Sequence, residues 1–352
     1  MPCRRHRLGC GAQNERRGPL DEAETPRLTI HEVARRAGVS HQTVSRYFRH
    51  NESLKPATRA KIDRVVQESN YRPNLVARSM RTRRTNRLAI TLPAPTHLWP
   101  ARLLRAASSA AHDEGFQLEV VSVEGDPRAR AERILELAGS GQVEGILSLT
   151  PLEIDPAASP VPVVVTGDYD DKLRGVNELA DASPVQEIVE HLASLGHRVF
   201  FHIAGAQSWP SARNRKLVYE QTIERLGLTS YGVALGDWSA QSGYDAVRGL
   251  PDGCGVTAVV AVNDHVAMGA VRGALSRGWR VPGDVSVFGW DDEELGRFAT
   301  PALSTVAVDR EVQGREAMAR LIAKVRGEPE PEPPARSINR VVVRETVGPP
   351  PA

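Results

Sequence analysis

The feature that most constrains the fold is a regular alternation of strand-like and helix-like segments from Arg87 onward. Apolar runs such as VEGILSL at residues 143–149 alternate with amphipathic segments such as residues 101–114. The same pattern begins again near residue 199, with VFFHIAG. Such alternation is typical of parallel, doubly wound sheets, and its restart predicts two of them. The sequence therefore predicts an α/β body of two Rossmann-like subdomains with a cleft between them.

The end of the chain is expected to connect the two subdomains. After the strand-like segment LSTVAV, a helical pattern covers residues 310–327 and a strand pattern covers residues 337–345. We expect both to cross back between the halves, within a two-lobed ligand-binding and dimerisation domain at residues 87–346. The predicted limits are about 87–179 and 307–335 for lobe 1, and about 180–306 and 336–346 for lobe 2. The other predicted strands are RLAITL, FQLEVVSVEG, VPVVVTGD, YGVALGD, VTAVVAVND and DVSVFGWDD.

Charge is distributed very unevenly along the chain. Residues 1–86 contain 19 Lys and Arg against 8 Asp and Glu, whereas the rest of the chain contains 26 basic and 35 acidic residues. A basic head on an acidic body indicates that the head binds a polyanion. We expect residues 1–26 to be a disordered basic tail, whereas residues 27–72 show regular patterning.

Residues 27–72 carry the signals of three short helices. Thr29 and Glu32 have the spacing of a capping box, in which each side chain accepts a hydrogen bond from an N–H of the other residue. Gly38 supplies a four-residue turn, Ser40 can cap a second helix, and Pro56 stands near the first turn of a third, where its missing N–H costs nothing. This arrangement predicts an all-α helix-turn-helix domain. Its predicted apolar positions are Ile30, Val33, Ala34, Ala37, Val44, Phe48, Ile62, Val65 and Val66.

The second of these helices has an unusual polar face. With Val44 and Phe48 turned inward, hydrogen-bonding side chains lie outward and towards the N-terminus, the end of a recognition helix that meets base edges in the major groove. Gln pairs bidentately with adenine and Arg with guanine. The structural alternative is an ordinary solvated face, and we favour base contact. The outward residues are His41, Gln42, Ser45 and Arg46.

Residues 73–86 are predicted to form a hinge helix and linker. Pro73 is expected to stop the third helix, and Asn74 can cap a short fourth one that carries Ala77 and Met80 on one face among several arginines. A segment this short is not a stable helix alone in water, so it orders only where something supports it. An apolar wedge among arginines suits insertion into a minor groove. A charged interdomain linker has a similar composition, and this alternative stays open.

Polar residues follow each strand of the second half. In parallel sheets, ligands bind beyond the carboxyl ends of the strands. Arg213, Trp238, Asn263 and Asp291 come after four consecutive predicted strands. Taken singly, each also fits a helix N-cap or a loop charge. Together they offer a carboxylate, an amide and a guanidinium for vicinal hydroxyls and an indole face for an apolar sugar face, which predicts a polyol or sugar site.

The basic head resembles the DNA-binding head of the lactose-repressor (LacI/GalR) family, segment by segment, from TIHEVARRAGVSHQTVSRYF to NYRPNLVARSM. The resemblance implies that His41, Gln42 and Arg46 contact bases. It also implies phosphate or groove contacts for Thr29, Ser40, Thr43, Ser45 and Asn74. The family's minor-groove wedge is usually Leu, and this chain has Met80, which is apolar and flexible.

The body resembles the same family in AGAQSWPSARNR, GDWSAQSGYDA, VVAVNDHVAMGAVRGAL and DVSVFGWDD. The resemblance implies a periplasmic-binding-protein-like body whose effector contacts include Arg213, Trp238, Asn263 and Asp291. The chain departs from lactose-repressor-like members at other pocket positions. His97 and Trp99 stand in the first-half pocket, Gly167 replaces an Asp, and Arg310 replaces an aromatic wall. Trp99 is included among the predicted effector contacts.

Other classes of protein fit the sequence less well. No apolar run reaches the roughly 20 residues that span a bilayer, and no signal-peptide core precedes Cys10, so we expect a cytoplasmic, nucleoid-associated protein without membrane contact. Three separated cysteines suit neither a disulfide framework nor a metal site. No zinc-protease, nucleophile-elbow, P-loop or GxGxxG motif occurs. We therefore expect no catalysis, no cofactor and no metal.

The prediction is a sequence-specific transcriptional regulator. We expect a homodimer that represses carbohydrate-utilisation genes and leaves a near-palindromic, double-stranded operator when a small sugar or glycoside binds in the cleft. One alternative is a regulator that a purine or another metabolite co-represses. A less favoured alternative is a sugar-binding transport protein, which shares the two-lobed body.

Overall fold

The computed structural model describes residues 28–48, 54–72, 84–93, 101–150, 152, 158–165, 182–332 and 337–352. The chain divides into two compact units, Met1–Met80 and Arg81–Ala352. Some of the sequence predictions lie outside the described residues. These are the predictions for the tail 1–26, Pro73, Asn74, Ala77, Met80, His97, Trp99 and Gly167.

The first unit contains the three predicted helices, α1 (Ile30–Ala37), α2 (His41–Tyr47) and α3 (Pro56–Ser69). The capping box is confirmed, because the Glu32 N–H donates to Thr29 Oγ1 and the Thr29 N–H donates to Glu32 Oε2. Gly38 ends α1 in the left-handed region at φ 64°, where glycine has no Cβ to clash. A sharp stop at this point lets α2 leave at a new angle.

Packing holds these three helices together around a small apolar core. Its fully buried members come from every helix, and the Tyr47 hydroxyl of α2 donates to a carboxylate oxygen of Asp63 on α3. Desolvation of so few side chains is a modest stabilisation, so caps matter in this unit. The buried core residues are Val33, Ala34, Ala37, Val44, Ile62 and Val65.

Two local predictions in the head need correction. The turn between α1 and α2 is three residues long, 38–40, rather than four. The third helix ends at Ser69, before Pro73, because Asn70 adopts the left-handed conformation at φ 47° and terminates it. Asn tolerates this conformation better than most residues do. The helix therefore stops through its own cap.

The second unit begins with the first predicted sheet. Its strands are β1 (Arg87–Pro93), β2 (Gln117–Val123), β3 (Gly145–Ser148) and β4 (Val163–Val165), all parallel in the order β2-β1-β3-β4. Helix α4 (Ala101–Asp113) and helix α5 (Pro127–Gly139) follow β1 and β2. The central strands β1 and β3 are largely buried, as strands of a covered parallel sheet are, whereas the edge strand β2 is largely exposed or half-buried.

The second parallel sheet has the order β6-β5-β7-β8. Each strand is followed by a helix, so each crossover returns the chain to the same edge of the sheet. Both sheets and their alternation with helices agree with the predicted fold class. The strands are β5 (Val199–Ala204), β6 (Thr229–Leu235), β7 (Ala258–Ala261) and β8 (Ser286–Phe288), and the helices are α6 (Ser183–Ser194), α7 (Pro210–Arg225), α8 (Ala240–Arg248), α9 (Asp264–Ser276) and the short α10 (Glu294–Phe298).

The last three elements connect the two halves of the body. Strand β9 (Thr305–Val308) continues from the second half, helix α11 (Arg310–Arg326) packs against α4 and β3 of the first half, and β10 (Asn339–Val342) returns antiparallel to β9. The contact is close, because a Cβ on Gly145 of β3 would lie 2.8 Å from Val325. The crossing back predicted from the sequence is present, and the lobe limits given above stay a prediction. No helix of the described ranges is long and apolar enough to cross a membrane.

Candidate DNA-binding surface and ligand cleft

The N-terminal end of α2 exposes the side chains that the sequence singles out. His41, Gln42 and Arg46 are exposed, whereas Val44 on the opposite face is fully buried. The Ser40 hydroxyl caps the helix by accepting from the Thr43 N–H at 3.2 Å, and it lies 2.8 Å from the Thr43 hydroxyl. The cap therefore fixes the backbone that carries the three exposed residues.

Two residues at the start of the first helix, Thr29 and His31, also make contacts that bear on this surface. The hydroxyl of Thr29 is already bonded to Glu32, and these bonds to the Thr29 N–H and hydroxyl lower the pKa of the Glu32 carboxyl. The ring of His31 on α1 lies 4.9 Å from the ring of His41, measured between centroids. The sequence reasoning did not single out His31, because nothing in the α1 pattern marks a residue whose neighbour is on the next helix.

The polar residues of the body lie along one edge of the second sheet. Arg213 follows β5 on α7, Trp238 follows β6, Asn263 follows β7 and Asp291 follows β8. All four strands are parallel, so their carboxyl ends share an edge. The structure brings Trp238 and Asn263 into direct contact, since the Asn263 amide Nδ2 donates to the Trp238 carbonyl at 3.4 Å.

Trp238 is mostly enclosed. It is 7 % exposed, and a Cβ on Gly205 would meet its indole ring at 2.9 Å, so glycine is what lets the ring lie there. Trp209 meets it edge to face with ring centroids 6.0 Å apart. The indole Nε1 is buried and has no hydrogen-bond partner among the residues that the structure describes. A buried unpaired N–H is unfavourable, so this donor is available to a bound acceptor.

Asn263 and Arg213 each have a structural bond. Asn263 is 1 % exposed and caps α9, where its Oδ1 accepts from the Val266 N–H at 2.9 Å. The Arg213 guanidinium donates to the Gln207 carbonyl at 2.7 Å. The N-cap alternative weighed for Asn263 is therefore present in the structure. The cap uses Oδ1, and Nδ2 has a second N–H besides the one donated to the Trp238 carbonyl, so this role is compatible with a ligand contact.

Asp291 supplies the carboxylate among these four strand-end residues and is ion-paired. Its Oδ1 accepts from Arg310 Nη2, and its side chain is 21 % exposed. Arg102 of α4 donates to the Asp291 carbonyl at 3.2 Å. Both arginines belong to helices that pack on the first half, so Asp291 links the two halves. Arg102 was not among the predicted site residues, and no sequence signal distinguishes it from its helical neighbours.

A buried carboxylate lies behind this edge. Asp264 accepts from the Thr305 hydroxyl at 2.6 Å and from the Glu293 N–H at 2.7 Å. Burial raises the pKa of Asp264 to about 7, and the Thr305 bond lowers it only in part. The adjacent Asp291 carboxylate adds to the rise. Asp264 thus ties the ends of β7, β8 and β9 together.

Backbone strain is concentrated at the same strand ends. Among the described residues, five that are not glycine have a positive φ, and three of them are Trp238 at 73°, Asp291 at 113° and Asp292 at 54°. For a bulky residue such as Trp this conformation is a true outlier. Strained backbone of this kind clusters at binding sites because the surrounding contacts must hold it there. The edge therefore has the properties of a ligand site.

Asp292 forms ion pairs with a different part of the body. It binds Arg297 of α10 at 2.5 Å and Arg344 after β10 at 2.6 Å, and its own side chain is buried. These bonds hold α10 in place. Leu295 and Phe298 on that helix are 82 % and 78 % exposed. Exposed apolar side chains next to each other are typical of a protein–protein contact.

A helix-turn-helix head and a two-sheet body with a polar edge define the architecture of a DNA-binding regulator. Comparisons with known proteins support the same class of protein. Residues 29–74 match the family model "Bacterial regulatory proteins, lacI family", and residues 189–347 match the "Periplasmic binding protein-like domain". The chain belongs to the lacI family of bacterial transcriptional regulators, which bind DNA and are not enzymes.

Individual relatives cover most of the chain. It is 30 % identical over 311 residues to the ribose operon repressor of Escherichia coli (strain K12), a match that covers 84 % of this chain and 93 % of the relative. It is 28 % identical over 319 residues to the lactose operon repressor of the same strain, covering 86 % of each. The crystal structure of the lac repressor dimer bound to operator and the anti-inducer ONPF matches with a TM-score of 0.76 and 26 % identity, covering 91 % of this chain and 98 % of that one.

Proposed function

We propose that the chain represses carbohydrate-utilisation genes and leaves its operator when a small sugar or glycoside binds at the strained edge of the second sheet. One observation carries the proposal: polar and aromatic residues follow four adjacent parallel strands, and two of them, Trp238 and Asp291, have left-handed backbone conformations. The relatives named as lactose and ribose operon repressors support a sugar as the effector class.

The head supplies the contacts to DNA. Exposed Gln42 and Arg46 pair with base edges, His41 adds a further base contact, and the Ser40 and Thr43 hydroxyls reach phosphates. Bidentate pairs of this kind are each worth roughly 1–3 kcal/mol of discrimination between bases. Phosphate contacts add affinity for any sequence. Asn74, Ala77 and Met80 remain predicted hinge contacts.

The effector is held by the strand-end residues. Asp291 accepts from sugar hydroxyls, Asn263 and Arg213 donate to them, and the indole of Trp238 lies against the apolar face of the ring. The Trp238 Nε1 supports this role, because within the described part of the chain this donor has no acceptor. A β-galactoside is the first compound to test, since GDWSAQSG and VNDHVAMGA are the segments most like lactose-repressor-like proteins. Trp99 remains a predicted contact.

Two copies of the chain bind one operator. A single head covers only a few base pairs, and a two-fold protein matches a near-palindromic site. The exposed Leu295 and Phe298 of α10 offer an apolar surface for the second copy, and the similar lac repressor structure is of a dimer.

Phe298→Glu is expected to yield monomers in sedimentation. The matched control is Leu217→Glu, at an exposed position of α7, which is expected to leave the dimer intact. A stable tetramer of the unaltered chain contradicts the proposal.

Footprinting on DNA upstream of the chain's own gene tests the proposal. We expect protection of a near-palindromic site that a sugar or glycoside releases. Protection that a compound strengthens instead supports the alternative of a co-repressor, such as a purine. A footprint that no compound of either class changes contradicts the effector assignment and leaves the DNA-binding assignment intact.

A further inference from the structure

Two guanidinium groups converge on Asp291. Arg310 Nη2 binds its carboxylate, and Arg102 Nη2 lies 3.2 Å from its carbonyl oxygen. The side chains of Arg310 and Asp291 are 18 % and 21 % exposed, so this group is accessible to a small molecule. Asp291 thus contacts one cation through its carboxylate and a second through its carbonyl, at the edge assigned to the effector.

Close helix packing brings the two arginines to the same residue, Asp291. A Cβ on Gly314 of α11 would lie 2.3 Å from the Leu103 carbonyl of α4, so only glycine permits this backbone approach. Arg102 adjoins Leu103, and Arg310 lies one helical turn before Gly314. The convergence is therefore built into the crossing of α4 and α11 rather than depending on long side chains that happen to meet.

The two arginines of α4 near this crossing, Arg105 and Arg102, differ in whether a carboxylate neutralises them. Arg105, one turn further along α4, pairs with Glu311 of α11 at 3.5 Å. Arg102 has no carboxylate partner among the described residues, and its guanidinium is bonded there only to the Asp291 carbonyl. Arg102 is also half-buried. A half-buried cation that lacks an anion is unfavourable, and a bound anion relieves that cost.

We infer that the effector carries an oxyanion, a carboxylate or a phosphate, that Arg102 and Arg310 clamp together. This inference rests on the proposed sugar-responsive function and specifies its ligand as an acidic sugar. Guanidinium groups bind carboxylate and phosphate bidentately, and such charge-assisted bonds are about twice as strong as neutral ones. Asp291 then serves two purposes, since it orients Arg310 and accepts from a hydroxyl of the same sugar.

Titration calorimetry on the full chain separates the possibilities. The probes are galactose, galacturonate and galactose 6-phosphate, with the matching glucose, glucuronate and glucose 6-phosphate. We expect at least one acid to bind tenfold or more tightly than its neutral parent, and which acid does so distinguishes carboxylate from phosphate. Arg102→Gln is expected to reduce that preference about tenfold or more, because it removes a charge-assisted bond. Arg105→Gln, on the same helix, is expected to retain it.

The outcomes distinguish this inference from the proposed function. A neutral sugar that binds as tightly as its acid overturns the inference and supports the sugar-responsive function. An acid preference that Arg102→Gln and Arg310→Gln both leave unchanged, with unaltered thermal unfolding, also overturns it. If none of the six compounds binds, and neutral β-galactosides fail as well, both the inference and the sugar assignment are contradicted.

Discussion

In the head, the polar side chains predicted to touch DNA are exposed, and residues three positions away fix their backbone, as Ser40 does for Thr43. In the body, the polar side chains at the strand ends are buried or half-buried, and distant residues hold them. Asp264 is bonded to Thr305, and Asp291 to Arg102, 189 positions away. The head thus presents side chains on a locally determined helix. The body assembles its site from the whole of its fold.

This difference has a consequence for substitutions. A residue such as Gln42 can be replaced without disturbing the core, so its loss affects recognition alone. Asn263 caps a helix and Asp291 joins two halves of the body, so their replacement affects both the ligand and the scaffold.

The largest expected effect is on operator binding by Arg46→Ala. Loss of a bidentate base contact costs roughly 1–3 kcal/mol in each half-site, or about 2–6 kcal/mol for a dimer. Binding to random DNA should remain and should stay salt-dependent, because phosphate contacts provide it. Fluorescence anisotropy with operator and random duplexes measures both. Gln42→Ala should have the same effect. If a variant lost as much affinity for the random duplex as for the operator, base contact by that residue would be ruled out.

The next effect concerns the packing of the body. A Cβ on Gly269 of α9 would lie 1.8 Å from the Ala240 carbonyl of α8, so Gly269→Ala forces the helices apart. Overpacking of this kind costs about 3 kcal/mol. The midpoint temperature of thermal unfolding of the body should therefore fall. Gly139→Ala in α5 is the matched control, since its Cβ meets nothing within 4 Å, and an equal loss in both variants would refute the packing argument.

The pH dependence of stability isolates Asp264. Its folded pKa of about 7 lies above its ordinary value, so the folded state holds the proton more tightly and stability falls as pH rises through about 7. From pH 5 to 7 this linkage is worth on the order of 2–3 kcal/mol. The destabilisation caused by Asp264→Asn should therefore be largest at pH 5 and shrink towards pH 8. Denaturant unfolding at both pH values checks this, and a pH-independent difference would contradict it.

The smallest effect is in the head. Thr29→Ala removes one half of the capping box and should cost about 1 kcal/mol of stability. Thr29→Ser keeps the hydroxyl and should restore most of it. Because Thr29 is predicted to contact phosphate rather than a base, its loss should weaken operator and random DNA equally. A selective loss on the operator would move Thr29 to the base-contacting group.

Much of the head was predictable because its signals are local. The spacing of Thr29 and Glu32, the glycine at 38 and the polar face of α2 all act within one helical turn. The alternation of strands and helices likewise predicted both sheets, since each segment carries its own period. The strand-end positions of Trp238, Asn263 and Asp291 followed from that alternation.

The contacts at the cleft were not predictable from the sequence. The pairing of Arg102 and Arg310 with Asp291 depends on how α11 crosses α4, and no periodicity encodes such a contact. The left-handed backbone at Trp238 is also absent from the sequence signals, because Trp has no preference for it. The helix end at Asn70 was missed because a proline three residues later is the stronger conventional stop signal.

Reciprocal linkage between the two regions is the most direct test of the account. Operator affinity is measured by anisotropy with and without the sugar, and sugar affinity by calorimetry with and without the operator. If effector and operator favour different states of one chain, each must weaken the other by the same factor, typically about 5–150-fold. Asp291→Ala should leave operator affinity intact and shift the sugar concentration for release about tenfold or more. A sugar that binds tightly yet leaves operator affinity unchanged would contradict the account.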